Sequence, residues 1–173
     1  MILNPMHNSV KLNIVLAHPQ IPQNTGNVAR TCAATGASLH LIKPMGFEID
    51  DAKMKRAGLD YWDKLDVTVY ENFDEFFAKT QKAEPDSPQY WFYETKSPQN
   101  YCEVSYGGNV YLIFGREDIG LPKEILEKYR RCCVEIPMRA GLRSLNMSNS
   151  VAVGVYEVLR QWGFPELNSK VEG

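Results

Sequence analysis

Small hydroxyl and amide side chains gather in one short segment near the C-terminal end of the chain, at residues 136–150. The segment opens on Ile136 and Pro137, passes through a turn at Gly141 and leads into a strongly apolar run. Its polar side chains are those of Ser144, Asn146, Ser148 and Asn149. Backbone groups left free by such a turn can meet a ligand, and the first N–H groups of a following helix need partners. This composition is typical of a pocket wall, although the same groups could simply cap the helix.

Two further segments, residues 24–30 and 115–122, follow predicted strands and mix glycine with amide, hydroxyl or charged side chains. The carboxyl ends of parallel strands share one edge of a sheet, where ligands bind in open α/β folds. Each segment alone is explained as well by turn glycines and by helix caps at Asn24 or Thr25. Charges inside otherwise apolar or small-residue contexts favour a site in which the three segments act together. These charges belong to Arg30, Arg116, Glu117, Arg139 and Arg143.

The elements that must position these segments alternate between strand and helix. Apolar, β-branched runs predict strands at residues 12–17, 38–42, 67–70, 90–93, 110–114 and 133–136. Helices are predicted from residue 24 or 25 to Gly36, at residues 50–58, from residue 73, after Pro122 through Tyr129, and over residues 151–162 up to Gly163. This alternation predicts an α/β fold, with a mostly parallel sheet covered by helices on both faces.

Length and composition limit the class of protein. With 173 residues, 44% of them hydrophobic and 23% charged, the chain predicts a single globular domain over residues 1–173. A net charge of −2 gives no global sign of nucleic-acid binding, so a phosphate-rich partner would need a local basic surface. No apolar run approaches the roughly 20 residues of a membrane span, and the first ten residues do not resemble a signal peptide. We therefore expect a cytoplasmic protein without a membrane segment.

Several common kinds of site are not indicated. The four cysteines and three histidines show no metal-ligand spacing, so we expect no metal. Neither a phosphate-binding G-x-x-x-x-G-K-[ST] loop nor a G-x-G-x-x-G turn follows the first strand. His7 is isolated, His40 alternates within a strand as a packed or edge residue, and His18 at a strand end is at best a weak substrate contact.

Taken together, the three segments closely resemble the three motifs of the SPOUT RNA methyltransferases. The matching residues are 24–30, then 114–117 with 120–122, and then 136–138 with 144–149. Residues 44–47 and 56–61 are similar to the branch of that family that methylates the ribose 2′-oxygen of the wobble nucleotide, position 34, in leucine tRNAs. The resemblance covers nearly the whole chain.

The resemblance implies a fold and partners that periodicity alone does not predict. It implies a C-terminal part threaded into a deep trefoil knot, an exception to the rule that chains do not thread loops. The knot and the cofactor site would occupy approximately residues 110–162. It also implies a homodimer, S-adenosylmethionine as the cofactor, and the anticodon stem-loop of leucine tRNAs as the substrate.

The resemblance assigns cofactor contacts to six residues. Gly115 would permit close backbone approach, Ile136 would offer backbone groups to the adenine, and Ser144 would hydrogen-bond the cofactor or the substrate. An apolar lining would come from Leu121, Met138 and Leu145.

A ribose 2′-hydroxyl is a poor nucleophile, so an enzyme must orient it and help to remove its proton. Arg30 matches an arginine that the family assigns to the substrate phosphate or to the hydroxyl. Because arginine stays protonated, we favour phosphate orientation and electrostatic help. Asn24, Glu117 and Asn146 match polar positions that order the loops and the substrate in the family. A purely structural role as hydrogen-bond partners explains these residues nearly as well. Tyr156 could reach the target nucleotide or pack in the core.

RNA binding by a nearly neutral chain would rest on a local patch that a second subunit could complete. The predicted patch consists of Arg30, Lys53, Lys55, Arg56, Arg116, Arg139 and Arg143. Two other functions stay open. The same chemistry could act on another tRNA position or on ribosomal RNA, or the chain could be a non-catalytic RNA-binding module.

Overall fold

The computed structural model describes residues 10–48, 62, 65–81, 87–165 and 167. Several sequence predictions lie outside these residues. They are the helix at residues 50–58, the family match at residues 56–61, the isolated His7 and the basic residues Lys53, Lys55 and Arg56.

Within the described part of the chain, six strands form one sheet in the order β3-β2-β1-β5-β4-β6. The strands are β1 Lys11–Ala17, β2 Ser38–Ile42, β3 Val67–Tyr70, β4 Gln89–Tyr93, β5 Asn109–Phe114 and β6 Cys133–Val134. Each pair of neighbouring strands runs parallel, which confirms the predicted parallel sheet. The direction of strand addition reverses between β1 and β5, which is where open α/β sheets bind ligands.

Helices cover both faces of this sheet. They are α1 Pro22–Thr35, α2 Phe73–Thr80, α3 Lys123–Lys128 and α4 Met147–Trp162, with a 3-10 helix at Arg130–Cys132. The long helices α1 and α4 pack on one face, and α2 and α3 lie on the other. Because both faces are covered, the consecutive residues Ile14, Val15 and Leu16 are all fully buried.

The spacing of apolar residues along α4 determines which face of this helix packs against the sheet. Its fully buried residues Val151, Val155 and Val158 recur at helical spacing and face the sheet. Each fully buried side chain of this kind contributes roughly 1.5–3 kcal/mol to folding. Gly163, with φ of 74°, ends the helix in the left-handed conformation, as predicted from sequence.

One strand is shorter than predicted. The sequence favours a strand over residues 133–136, whereas β6 ends at Val134. Beyond Val134 the hydrogen bonds change partner, because the backbone of Glu135 pairs with Gln99 and Tyr101 instead of continuing the ladder on β4. Pro137 then has no N–H to extend the pairing. The trefoil knot stays a prediction of the family resemblance.

A buried polar cluster lies inside the sheet. Nδ2 of Asn13 donates to the Oδ1 atom of Asn109 and the carbonyl of Val110, so Oδ1 of Asn13 is left to accept from Nε2 of His40 at 3.2 Å. Nδ1 of His40 then accepts from the Tyr70 hydroxyl at 2.9 Å. Burial lowers the pKa of His40 to about 4, so the ring is neutral at pH 7. His40 is therefore a packed structural residue, one of the two places that the sequence left open.

Candidate active site

The three segments singled out from the sequence meet at the carboxyl edge of the sheet. The first follows β1, the second follows β5 and the third follows β6. A chain of side-chain hydrogen bonds joins them, although the first segment lies 93 to 122 residues from its partners in the other two.

The first link in this chain is the carboxylate of Glu117, which lies at the start of α1. One oxygen accepts from the backbone N–H of Gln20 at 2.9 Å, and the other accepts from the backbone N–H of Ile21 at 3.1 Å. The second oxygen also accepts from Nδ2 of Asn24 at 3.3 Å. A negative charge suits this end of a helix, where the helix dipole is positive. Glu117 therefore fixes the loop after β5 against the loop after β1.

The capping prediction for α1 was wrong. The helix begins at Pro22, whose missing N–H needs no partner, and Ile21 is the N-cap residue without a side-chain cap. Asn24 and Thr25 lie inside the first turn and are buried. The sequence could not reveal this arrangement, because the carboxylate that reaches the helix start comes from Glu117.

The second link joins α1 to α4. Nδ2 of Asn146 donates to Oδ1 of Asn24 at 3.1 Å. Oδ1 of Asn146 accepts from the backbone N–H of Ser148 at 2.9 Å and from its hydroxyl at 2.6 Å. Asn146 is thus the N-cap of α4 and also a bridge between the two helices. The helix-cap explanation therefore holds for Asn146, and its role in a site stays a prediction.

The loop after β5 is closed tightly on itself. Backbone groups of Arg116 and Gly120 exchange two hydrogen bonds, of 3.1 and 2.9 Å. A Cβ at Gly115 would lie 2.3 Å from the backbone of Gly120 and Leu121, far inside contact distance. Gly120 adopts φ of 73°, a conformation that glycine tolerates best. Only glycine at residue 115 therefore lets the loop fold over the end of the strand.

A cavity of about 320 Å³ opens between these strand ends and residues 136–150. Ligand sites commonly enclose about 300–1,000 Å³. Six of the eleven predicted site residues line the cavity: Gly115, Glu117, Ile136, Met138, Ser144 and Leu145. The wall thus combines apolar side chains with polar groups that can orient a ligand.

Three predicted site residues lie beside the cavity instead of in its lining. Leu121 is buried in the core on the α3 face and lines a separate, adjoining cavity. Asn24 and Asn146 belong to the hydrogen-bonded chain described above. The two amides are therefore placed to hold the loops in position.

Arg30 and Tyr156 lie elsewhere, in a groove of about 300 Å³ between α1 and α4. The Arg30 side chain is exposed, and within the described residues no hydrogen bond or ion pair reaches its guanidinium. Tyr156 is 49% exposed, so it is not a core residue. The other polar residues that line this groove are Asn27, Thr31, Thr35, Ser148 and Asn149.

Sequence reasoning missed the part of the cavity that follows β4. Tyr93, the last residue of β4, lines the cavity together with Glu94 and Thr95, and Phe114 stacks on Tyr93 with ring centroids 4.5 Å apart. A signal was present, because β4 was predicted and its carboxyl end must share the ligand-binding edge. The segment carries no glycine turn and therefore did not stand out.

Electrostatic pairing changes the predicted basic patch. Nε and one terminal nitrogen of Arg116 bind the two carboxylate oxygens of Asp118, at 2.6 and 2.7 Å. This pairing lowers the pKa of Asp118 and raises that of Arg116. Burial, helped by nearby Arg116, lowers the pKa of His18, which is then neutral at pH 7. Arg139 and Arg143 are exposed on the loop of residues 135–146 that connects β6 to α4.

Two further searches cover only the part of the chain that the structure describes. There, no group of three or more histidine, cysteine, aspartate or glutamate side chains could hold a metal ion. In the same residues, no helix has the length and apolar character needed to cross a membrane.

Comparison with known proteins identifies relatives along nearly the whole chain. Residues 11–156 match the model of the SpoU rRNA Methylase family. A tRNA (cytidine(34)-2′-O)-methyltransferase from Saccharophagus degradans is 49% identical, with 88% of this chain and 96% of the relative covered.

Solved structures with similar folds agree. One, described as giving structural insights into the 2-OH methylation of C/U34 on tRNA, is 40% identical, with a TM-score of 0.80, and covers 89% of this chain and 97% of its own. The SpoU methyltransferase AviRb from Streptomyces viridochromogenes, solved in complex with the cofactor AdoMet, has a TM-score of 0.78 at 21% identity. It covers 88% of this chain and 58% of its own, and it shows likeness of fold alone.

Proposed function

The chain belongs to the SpoU rRNA methylase family, and on that premise we propose that it is an S-adenosylmethionine-dependent methyltransferase acting on the ribose 2′-oxygen of nucleotide 34 in tRNA. The observation that carries the proposal is the hydrogen-bonded chain from Glu117 through Asn24 to Asn146, beside a cavity of ligand size. The relative and the structure named for this nucleotide support the choice of substrate.

The chemistry of the cavity fits the cofactor. Ile136, Met138 and Leu145 offer apolar surface for a flat adenine, and Ser144 offers a hydroxyl for its polar groups. The close fold at Gly115 brings backbone groups of the loop after β5 to the same wall. When bound, S-adenosylmethionine supplies a methyl group already activated by its sulfonium.

The protein's part is to hold the reactants and manage charge. Asn24, Glu117 and Asn146 act as positioning residues that keep the three loops in register around the cavity. Arg30 stays protonated and holds an RNA phosphate, which places the 2′-hydroxyl for in-line attack. Ionisation of the hydroxyl is favoured electrostatically by the same guanidinium.

The groove between α1 and α4 supports a homodimeric enzyme. Arg30 and Tyr156 are exposed there and are absent from the cavity lining of their own chain. A second copy packed on this face would bring one chain's Arg30 toward the other chain's cofactor. Tyr156 would then contact the target nucleotide.

The finer features of the proposal are those that the family resemblance implies. The substrate is the anticodon stem-loop of leucine tRNAs, and the enzyme acts in the cytoplasm, where tRNA is modified. Residues 1–173 form one domain, with the knot and the cofactor site within about residues 110–162.

Mass-spectrometric mapping of ribose methylation in total RNA, from cells with and without the protein, tests this function. We expect one 2′-O-methylated nucleotide, at position 34 of leucine tRNAs, to disappear without the protein and to return with it. Purified protein should label the same position in undermodified tRNA. Loss of a methyl group from ribosomal RNA or from another tRNA position would instead support the alternative substrate, and no change anywhere would contradict an enzymatic role.

A further inference from the structure

Glu94 lies at the carboxyl end of β4, in the wall of the cofactor cavity. Its side chain is only partly exposed, and it separates this cavity from the adjoining one on the α3 side. A carboxylate accepts hydrogen bonds and cannot donate them. A ligand in the cavity must therefore present a hydrogen-bond donor to Glu94. Without such a donor, the carboxylate would lose hydrogen bonds to water that nothing replaces, which is unfavourable.

The two oxygens of this carboxylate have different surroundings. Oε1 accepts from the backbone N–H of Thr95 at 2.7 Å and from the hydroxyl of Thr95 at 2.9 Å. Within the described residues, no hydrogen bond occupies Oε2. Thr95 thus fixes the orientation of the group and leaves one oxygen available.

Gly120 gives that free oxygen its space. A Cβ built at Gly120 would lie 3.0 Å from Oε2 of Glu94, closer than ordinary contacts between side chains. Gly120 also lines the cavity, so Oε2 faces the turn of the loop after β5 across a short gap. A ligand group held between the strand end and this loop meets an acceptor that is already oriented.

On this geometry, and resting on the proposed function, we propose that Glu94 binds the cofactor through the hydroxyl groups of its ribose. The donors of S-adenosylmethionine are the ribose hydroxyls, the adenine amino group and the ammonium group of its tail. The apolar side chains that suit adenine belong to a different segment, residues 136–145 after β6, whereas Glu94 lies at the end of β4. Vicinal hydroxyls suit a carboxylate at a strand end, as in other nucleotide sites with parallel sheets.

The substitution Glu94→Gln gives a specific test because of Thr95. Both Thr95 donors require an acceptor, so they hold the amide oxygen of glutamine at the Oε1 position. The amide NH₂ then occupies the Oε2 position and turns an acceptor into a donor. A ribose hydroxyl can still accept from this NH₂ and retains part of its binding, whereas an amino or ammonium group cannot.

Calorimetric titration with S-adenosylhomocysteine measures the effect without RNA. We expect Glu94→Gln to weaken binding about tenfold, in line with the loss of a hydrogen bond to a charged group. With 2′-deoxy and 3′-deoxy forms of S-adenosylhomocysteine, wild type should lose affinity and the further effect of Glu94→Gln should shrink to less than about twofold. Glu127→Gln, which removes an exposed carboxylate lining only the adjoining cavity, is the matched control and should bind like wild type.

Other outcomes overturn the assignment. Equal loss with ribose and deoxyribose ligands would show that Glu94 does not meet the hydroxyls. An effect that disappears with S-inosylhomocysteine would move the contact to the adenine amino group, and one that disappears with 5′-methylthioadenosine would move it to the ammonium group. Wild-type affinity in Glu94→Gln would remove Glu94 from the site. Failure of wild-type protein to bind S-adenosylhomocysteine at all would instead contradict the proposed function.

Discussion

Two regions of the molecule, the cavity beside Gly115 and the groove between α1 and α4, differ in how firmly their polar side chains are held. The cavity beside Gly115 is lined by the ends of three strands, β4, β5 and β6, and the side chains that support it are joined by hydrogen bonds. The groove that holds Arg30 and Tyr156 lies between α1 and α4, and within the described residues no hydrogen bond or ion pair restrains the arginine. On the proposed function, this difference predicts that one chain supplies the cofactor site and that the substrate site needs a second chain.

Replacing Arg30 should have the largest effect and should affect only the open region. We expect Arg30→Ala to lower kcat/KM for tRNA about 100-fold, since a hydrogen bond from a charged group to phosphate contributes about 1.5–3 kcal/mol. Affinity for S-adenosylhomocysteine, measured by calorimetry, should not change. Arg131→Ala, which removes an exposed arginine from the 3-10 helix, serves as the control. Equal weakening of the cofactor analogue would show that the two regions are not separate.

Replacing Gly115 should damage the closed region instead. The added Cβ of Gly115→Ala would lie 2.3 Å from the backbone of Gly120 and Leu121, so the loop must open. Overpacking of this kind costs about 1–3 kcal/mol, and we expect S-adenosylhomocysteine to bind at least tenfold more weakly. Gly107→Ala is the matched control, because a Cβ there has no atom within 4 Å and the backbone is ordinary. Thermal melting should separate the two variants, and equal melting temperatures would contradict the clash.

Sequence alone predicted the scaffold better than the site that it carries. Apolar runs and helix stops such as Gly36 are local signals, so strands and helix ends followed from them. The cap of α1 did not, because Glu117 reaches it from a loop 96 residues away, against Ile21. The end of β6 was also missed, because Glu135 pairs with the loop after β4.

The site divides in the same way. Gly115 and Asn146 stood out because glycine turns and caps leave marks in the sequence. Glu94 did not, because a single glutamate after an aromatic strand resembles any surface charge. Arg116 and Asp118 are close in sequence, so an ion pair between them was conceivable. Its two-hydrogen-bond geometry depends on the folded loop.

Acid should act on both regions together, through the sheet beneath them. His40 is neutral when folded, with a pKa of about 4 against 6.5 in the unfolded chain. The unfolded state therefore takes up the proton first, and stability should fall as the pH drops from about 6.5 to about 4. This single group accounts for about 3 kcal/mol over that range. Urea unfolding at pH 7.5 and 4.5 should show a smaller loss for His40→Gln than for wild type, and equal losses would contradict the assignment.

The chain of hydrogen bonds from Glu117 through Asn24 to Asn146 predicts that substitutions in two distant loops have coupled effects on ligand binding. Glu117→Ala and Asn146→Ala should each weaken S-adenosylhomocysteine binding, and the double variant should lose less than the sum. The coupling through Asn24 should amount to about 0.5–1 kcal/mol. Asn72→Ala removes a helix cap of the same kind on α2, and its effect should add to that of Glu117→Ala. Additivity in both pairs would show that the chain of hydrogen bonds does not couple the loops.

The smallest expected effect concerns the boundary between the two regions. Arg116 lines the cofactor cavity, yet Asp118 holds its guanidinium through two hydrogen bonds. The pair is exposed, so breaking it should leave stability nearly unchanged.

Asp118→Asn removes the opposing charge and frees Arg116 for an RNA phosphate, so tRNA should bind a few-fold more tightly. The dependence of log affinity on log salt should steepen by about one. The double variant Arg116→Ala/Asp118→Ala should change tRNA affinity by less than about twofold, because the intact pair carries no net charge. Filter binding at several salt concentrations measures both variants, and a large loss in the double variant would show that Arg116 already contacts RNA beside its aspartate.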